Sequence, residues 1–351
     1  MTLPDPAFWS GKRVLLTGHT GFKGSWAALW LTSMGAKVTG FGLTPDTKPA
    51  LFDAARVAND VTSIIGDLRD ATAVAKCVAA ADPQIVIHMA AQALVPRSIS
   101  NPVATFAINV LGTVHLLETL RQQPELRAVL VVTSDKVYSN DELGNAFSEK
   151  DLLGGKDPYS ASKAAVEIIT RAFALTYFEP AGVAVATARA GNIIGGGDFS
   201  PGRLVPDVFR AVRSGNRLAL RNPEATRPWQ HVLDCLAGYL IFAEALVNDD
   251  IVPRALNFGP EARAIKVHYL AEEIFKALGK DPEWDHQPEP NPIEMKTLAL
   301  NASEARTHLG WRDRLAGAAA IAWTADWYRA FTIDADPRAL TLDQIASYGN
   351  L

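Results

Sequence analysis

The sequence predicts an α/β protein built on a doubly wound parallel sheet, with a smaller, discontinuous α/β domain beside it. Three observations carry this reading. Short Val/Ile/Leu runs alternate with helical patterns in the first half, a glycine-rich turn directly follows the first run, and the second half changes to proline-, glycine- and arginine-rich sequence. Strands covered by helices on both faces are apolar throughout instead of alternating, as these runs are.

Arg13–Thr17 (RVLLT) reads as a buried strand, Ser25–Met34 as a helix and Lys37–Phe41 (KVTGF) as a second strand. Ser63–Ile65 is a short third strand, Ala71–Ala81 a helix and Gln84–His88 (QIVIH) another strand. A helix over Asn109–Arg121, a strand over Ala128–Ser134, a helix over Ala161–Tyr177 and the strand-like Val185–Ala190 continue the pattern. In such sheets ligands sit beyond the carboxyl ends of the strands. Gly191–Gly202 is loop sequence, with five glycines in twelve residues, and Asp281–Pro292, with four prolines, reads as an irregular surface segment. Val232–Pro260 is expected to return to the sheet through Ala255–Phe258. The predicted division is residues 1–190 plus about 232–260 for the nucleotide-binding domain, and about 191–231 with 261–351 for the second domain.

At 351 residues the chain is long enough for two domains and a sizeable core. A net charge of −4 without a long basic run leaves no footprint for nucleic acid or an acidic membrane surface. Cys77 and Cys235 stand far apart and suit neither a disulfide framework nor a metal site, so a reducing, cytoplasmic setting is expected. No stretch is expected to reach membrane-spanning length, and Met1–Lys12 lacks the apolar core of a signal peptide. His19, His88 and His231 are too scattered for a metal site, and no metal is expected. Trp26 and Trp30, at helical spacing, read as core or interface.

Gly18-His-Thr-Gly21-Phe-Lys-Gly24 lies between a strand and a helix. Glycine permits positive φ and close approach of the backbone to a pyrophosphate, and the following helix N-terminus supplies N–H donors. A bland turn often carries two glycines as well, but the strand–turn–helix setting favours dinucleotide binding. The acid expected about 20 residues on, for the adenosine ribose, is missing. Phe41-Gly-Leu-Thr-Pro45 stands there with no arginine for a 2′-phosphate, which weakly favours NAD, and Asp46 lies late, in a loop. Asp67 reads either as an adenine contact or as a helix cap.

Tyr159-Ser-Ala-Ser-Lys163 puts a phenol and an ammonium on one helix face. A nearby cation favours phenolate, a general base for an alcohol. The spacing is common on solvated helices and gains meaning from the glycine turn, Ala90–Ala91 and Thr133–Ser134. Asp135 and Lys136 set an acid and an amine at the end of a central strand, beside the ligand crevice. Arg189, Asn192, Arg203, Arg217, Arg221 and Arg227 offer guanidinium and amide groups for a diphosphate, though each alone is more often a surface group.

Together these features resemble the extended short-chain dehydrogenase/reductases that modify nucleotide sugars, over roughly Lys12–Trp311. Thr17–Trp26 (TGHTGFKGSW), Ser134–Tyr138 (SDKVY), Gly195–Asp198 (GGGD) and Arg227–Val232 (RPWQHV) are similar to the CDP-glucose 4,6-dehydratases among them. The resemblance implies a Rossmann domain, NAD as cofactor, and CDP-glucose or a related nucleotide sugar as substrate. The implied cofactor contacts are Gly18, Thr20, Gly21, Phe22, Lys23, Gly24, Asp67, Leu68, Ala90, Ala91, Gln92, Asn109, Thr133, Tyr159 and Lys163. Arg189, Asn192, Arg203, Arg227 and His231 are the implied substrate contacts. By the same resemblance Tyr159 takes the 4-hydroxyl proton, Ser134 bonds the 4-oxygen, Asp135 protonates the leaving 6-hydroxyl, and Lys136 stands where related dehydratases carry glutamate. A neutral lysine could take the C5 proton if its surroundings depress its pKa below ~10.4. A homodimer or dimer of dimers through the Asn109–Arg121 and Ala161–Tyr177 helices is implied as well. The nearest rivals are a nucleotide-sugar 4-epimerase, which needs no acid for the 6-hydroxyl, and a dehydratase for another nucleotide sugar. A non-catalytic NAD-binding regulator would be signalled by loss of Tyr159 or Lys163.

Overall fold

A computed structural model of the chain describes residues 2–351 apart from 141, 249–250, 262–263, 289–294 and 296. Its strands are β1 (Arg13–Thr17), β2 (Lys37–Gly42), β3 (Thr62–Ile65), β4 (Ile85–His88), β5 (Ala128–Val132) and β6 (Ala184–Ala190). Four short strands follow: β7 (Ile193–Ile194), β8 (Leu218–Leu220), β9 (Thr226–Arg227) and β10 (Gln230–His231). The last are β11 (Ala255–Phe258), β12 (Ile265–Lys266) and β13 (Trp284–His286). Helices α1 (Pro6–Trp9), α2 (Phe22–Ser33), α3 (Leu51–Ala54), α4 (Ala71–Ala81), α5 (Val95–Ser100), α6 (Pro102–Phe106), α7 (Gly112–Leu120) and α8 (Pro158–Phe173) accompany the first half. The second half carries α9 (Leu204–Ser214), α10 (Val232–Val247), α11 (Val267–Ala277), α12 (Ser303–Leu309), α13 (Ala318–Thr332) and α14 (Pro337–Gly349).

The main sheet is parallel in the order β11-β6-β5-β4-β1-β2-β3, so Ala255–Phe258 does return to it, beside β6. Strand order reverses between β1 and β4, and that switch point opens a crevice at their carboxyl ends. Each strand divides its residues between two cores by alternation. Val14, Leu16, Ile85, Ile87 and Leu130 join α2 and α10 on one face. Leu15, Val86, Val129 and Val131 join α4, α7 and α8 on the other. Helix α10 is buried from Val232 to Leu246, which explains its nearly unbroken apolar sequence. Trp26 and Trp30 are both core.

Several boundaries move for local reasons. The helix expected from Asn109 starts at Pro102, where Asn101 accepts a hydrogen bond from the Ala104 N–H and proline suits the first helical position. It runs through a π-bulge over Ala107–Leu111 into α7. Against expectation, this 19-residue helix, Pro102–Leu120, is long and apolar enough by length and composition to cross a membrane. Here it packs against α4 and α8, with part of its apolar surface turned outward. Helix α8 starts at Pro158 because Asp157 caps it, accepting from the Ser160 N–H at 2.9 Å. In Asp281–Pro292, Trp284–His286 pairs with β8, while residues 289–292 lie outside the described residues. The C-terminal α14 comes back to α2: Tyr348 meets Trp30 edge-on at 5.6 Å, and its hydroxyl donates to Asp234 at 2.8 Å.

Candidate active site

The glycine turn is a cradle that side chains would fill. Gly18 has φ +79°, and a Cβ there would lie 2.8 Å from the Ala90 nitrogen; one on Gly24 would lie 2.0 Å from the Gly18 carbonyl oxygen. No side chain caps the N-terminus of α2, so its first N–H groups are left for an anion. Phe22 and Lys23 open that helix, and the Lys23 Nζ lies 5.4 Å from the Tyr239 ring centre. Thr20 anchors the turn by donating to the Leu43 carbonyl at 2.7 Å.

At the end of β2 there is no carboxylate, and Asp46 lies out in the following loop, 3.5 Å from Arg97. His19 fills the space over Gly40 and bonds Ser63 at 2.7 Å; burial lowers its pKa to about 4 and keeps it neutral. Asp67 does not cap α4; Asp70 does, accepting from Thr72 and Ala73. Asp67 is gripped by Arg69, whose hydrogen bonds lower its pKa. Leu68 is buried, its carbonyl taken by His115.

Beyond β4, the Ala90 N–H donates to Thr17, and Ala91 lines a cavity of about 290 Å³. Gln92 and Asn109 form a scaffold behind this wall. The Asn109 amide accepts from the Gln92 N–H at 2.8 Å and donates to the Gln92 carbonyl and to Ser162. Neither residue lines the cavity.

Into the same cavity β5 delivers Thr133, Ser134, Asp135 and Lys136, and α8 delivers Tyr159 and Lys163. Ser134 donates to Asp135 Oδ1 at 3.0 Å, while Asp135 Oδ2 is buried without a protein hydrogen bond. Lys163 donates to the Val132 carbonyl at 2.9 Å. Burial and the Lys23 charge bring its pKa down to about 7. Burial pushes the Tyr159 phenol up to about 12, against the neighbouring Ser134 hydroxyl, which lowers it. Phenolate therefore needs more positive charge than these side chains alone bring.

From the second half, Asn192, Arg203, Arg221 and Arg227 line the cavity as expected, Arg203 lying 3.5 Å from Asp198. Three other expectations are corrected. Arg189 is a buried tie, not a substrate contact: it pairs with Glu167 at 2.7 Å and donates to the Tyr138 hydroxyl at 2.8 Å. His231 is wholly buried between Trp26 and Trp323, and its ring caps α10 by accepting from the Leu233 N–H. Arg217 turns away to Asp285 on the surface. His231 rests on similarity of the string Arg227–Val232, and Arg189 and Arg217 on guanidinium chemistry near strand ends and loops; neither basis carries a direction for a side chain. Glu167 went unnoticed, although Tyr159, Lys163 and Glu167 repeat every four residues on one helix face. The Leu218–Leu220 strand, Trp229 and Val267 also line the cavity; such short apolar pieces carry no local signal of a binding wall.

A glycine cradle at the switch point, a Tyr/Lys pair on one helix and an Asp/Lys pair at the neighbouring strand end define a short-chain dehydrogenase/reductase of the extended type. The family model described as GDP-mannose 4,6 dehydratase matches residues 15–322, and the chain belongs to this family. It is 41% identical over 351 residues to a CDP-glucose 4,6-dehydratase of Salmonella typhimurium, covering 98% of each chain. It is 29% identical to a dTDP-glucose 4,6-dehydratase of Xanthomonas campestris pv. campestris, over 90% of this chain and 92% of the relative. Among solved structures, a Thermus thermophilus UDP-glucose 4-epimerase in complex with NAD superposes with a TM-score of 0.78 at 27% identity, covering 90% of this chain and 99% of the epimerase.

Proposed function

We propose that this protein removes water from CDP-glucose to give CDP-4-keto-6-deoxyglucose, with NAD as its cofactor. One observation carries the choice of reaction: Asp135 and Lys136 share a cavity with Tyr159 and Lys163. Epimerisation at C4 needs only the tyrosine–lysine pair and the cofactor. Expelling the 6-hydroxyl needs an acid as well, and removing the C5 proton needs a base. Asp135 and Lys136 fill those two roles. The relative named as a CDP-glucose 4,6-dehydratase supports the cytidine nucleotide.

The glycine cradle and the uncapped N-terminus of α2 fit the diphosphate of a dinucleotide. NAD, when bound, supplies hydride chemistry at the sugar, and its oxidised ring adds the positive charge that phenolate at Tyr159 requires. Tyr159 takes the proton of the 4-hydroxyl, with Ser134 beside it. Lys136 holds and returns the C5 proton, and Asp135 Oδ2, unpartnered at the cavity wall, gives a proton to the departing 6-oxygen. Arg203, Arg221 and Arg227 bind the substrate diphosphate. The reading includes a homodimer, supported by exposed apolar side chains on neighbouring helices: Val103, Phe106, Leu111, Ile168 and Leu175. A reducing, cytoplasmic setting belongs to it too, supported by two buried, unpaired cysteines.

The test is direct. Purified protein is incubated separately with CDP-glucose, dTDP-glucose, UDP-glucose and GDP-mannose, and products are weighed by mass spectrometry. Loss of one water from CDP-glucose in preference to the others is expected. A 4-epimer of unchanged mass would remove the roles given to Asp135 and Lys136.

A further inference from the structure

The dehydration leaves a proton imbalance between two protein groups. Tyr159 gains the proton of the 4-hydroxyl, and Asp135 loses one to the departing 6-oxygen. The C5 proton leaves to Lys136 and returns, and the hydride leaves C4 and returns to C6, so neither alters the balance. After each turnover the phenol therefore holds one proton too many and the carboxyl one too few. Both groups are nearly closed off: Tyr159 is 7% exposed and Asp135 2%. While a ligand fills the cavity that both line, it stands between them and bulk water.

The Ser134 hydroxyl is bonded to Asp135 and shares the cavity wall with Tyr159, and its bonding suits a bridge. It donates to Asp135 Oδ1 at 3.0 Å and accepts from the Lys136 N–H at 3.2 Å. A hydroxyl has one donor and two acceptor sites, and the remaining acceptor site is left for the Tyr159 phenol, which lines the same cavity. The backbone bond from Lys136 holds the oxygen in place while its hydrogen reorients. The two oxygens of Asp135 divide the work: Oδ1 faces Ser134, and Oδ2 has no protein partner.

We propose that Ser134 is a proton relay that resets the site, passing one proton from Tyr159 to Asp135 in every turnover. The phenol O–H breaks as a new O–H forms on Ser134, the original serine O–H breaks as one forms on Asp135 Oδ1, and a half-turn of the carboxyl about Cβ–Cγ then brings that O–H to the Oδ2 position facing the cavity. Two protons shift by one hydrogen bond each, no electrons are exchanged with any other group, and the site regains a phenolate and a carboxylic acid. This rests on the dehydratase reading above and adds to it the origin of the acid's proton.

Rapid-quench measurement of water loss from CDP-glucose by NAD-loaded enzyme tests it in wild type, Ser134→Ala and Ser134→Thr. In Ser134→Ala the first turnover should outrun later ones, a burst of one product per site, with kcat reduced by a further factor of about ten or more. Ser134→Thr keeps the hydroxyl and should abolish the burst. If Ser134→Ala slows first and later turnovers by the same factor, the serine only holds the 4-oxygen and the relay is overturned. Should Ser134→Ala not fold, wild-type kcat in mixtures of light and heavy water decides: a curved dependence signals two protons in flight, and a straight line overturns the relay. A wild type that removes no water from CDP-glucose would instead overturn the functional reading, and the relay with it.

Discussion

Within three residues, Ser134-Asp135-Lys136, the protein sets a bridge, an acid and an amine at the end of one strand. The backbone makes this possible by tightening into a short 3₁₀ turn over Asp135–Val137, capped by Ser134 itself. In the proposed reaction Lys136 is the member that separates elimination from simple oxidation. Lys136→Met should leave C4 oxidation intact, so bound NADH accumulates on adding CDP-glucose, while deuterium exchange at C5 is lost. Unchanged exchange, followed by mass spectrometry in heavy water, would sink the role of Lys136 as the C5 base. His19 shows the opposite case, a titratable side chain at the cofactor turn whose work is packing: buried over Gly40 and neutral, it occupies volume.

At the scale of elements, the site depends on how helix α8 is fastened to the ends of β5 and β6. Glu167 is the fastening: its carboxylate accepts from Thr133, from Thr187 at 2.7 Å and from Arg189 at 2.7 Å. Arg189 then reaches Tyr138 just after the Asp135–Lys136 turn. The Arg189 and Glu167 side chains are 5% and 3% exposed, so removing one partner strands a buried charge. Arg189→Met should cost about 3–5 kcal/mol in urea unfolding, and Glu167→Gln in the same chain should recover part of it. A single variant as stable as wild type would show that the pair does not hold these elements together. The tyrosine–lysine spacing was legible in the sequence because it is local to one helix. The third member of the same row, Glu167, gains its meaning only from β5 and β6, which are distant along the chain.

For the whole molecule, part of the apolar surface of Pro102–Leu120 and α8 is left uncovered within one chain. Phe106 and Leu111 on the first helix, Ile168 on α8 and Leu175 in the π-helical turn Ala174–Phe178 that continues α8 are all more than a third exposed. If this face joins two copies, Leu111→Lys with Ile168→Lys should convert a dimer to monomers in sedimentation velocity, with the glycine cradle untouched. A double variant that sediments as wild type does would remove this face from the assembly. The same helix reaches membrane-spanning length by composition because it serves two apolar surfaces, the sheet on one side and this outward face on the other.

The sequence by itself determined the parallel sheet, the glycine turn and the Tyr159/Lys163 and Asp135/Lys136 pairs. These are written in local patterns: apolar runs bounded by turns, glycine where backbone must pass backbone, and side chains at fixed helical spacing. Only the tertiary structure decided which polar groups of the second half face the cavity. It turned Arg203 and Arg227 toward the cavity while burying Arg189 and His231 in the frame. The reason is physical: what such a side chain meets is set by the elements packed around it, and those contacts join residues too far apart in sequence for any local pattern to encode.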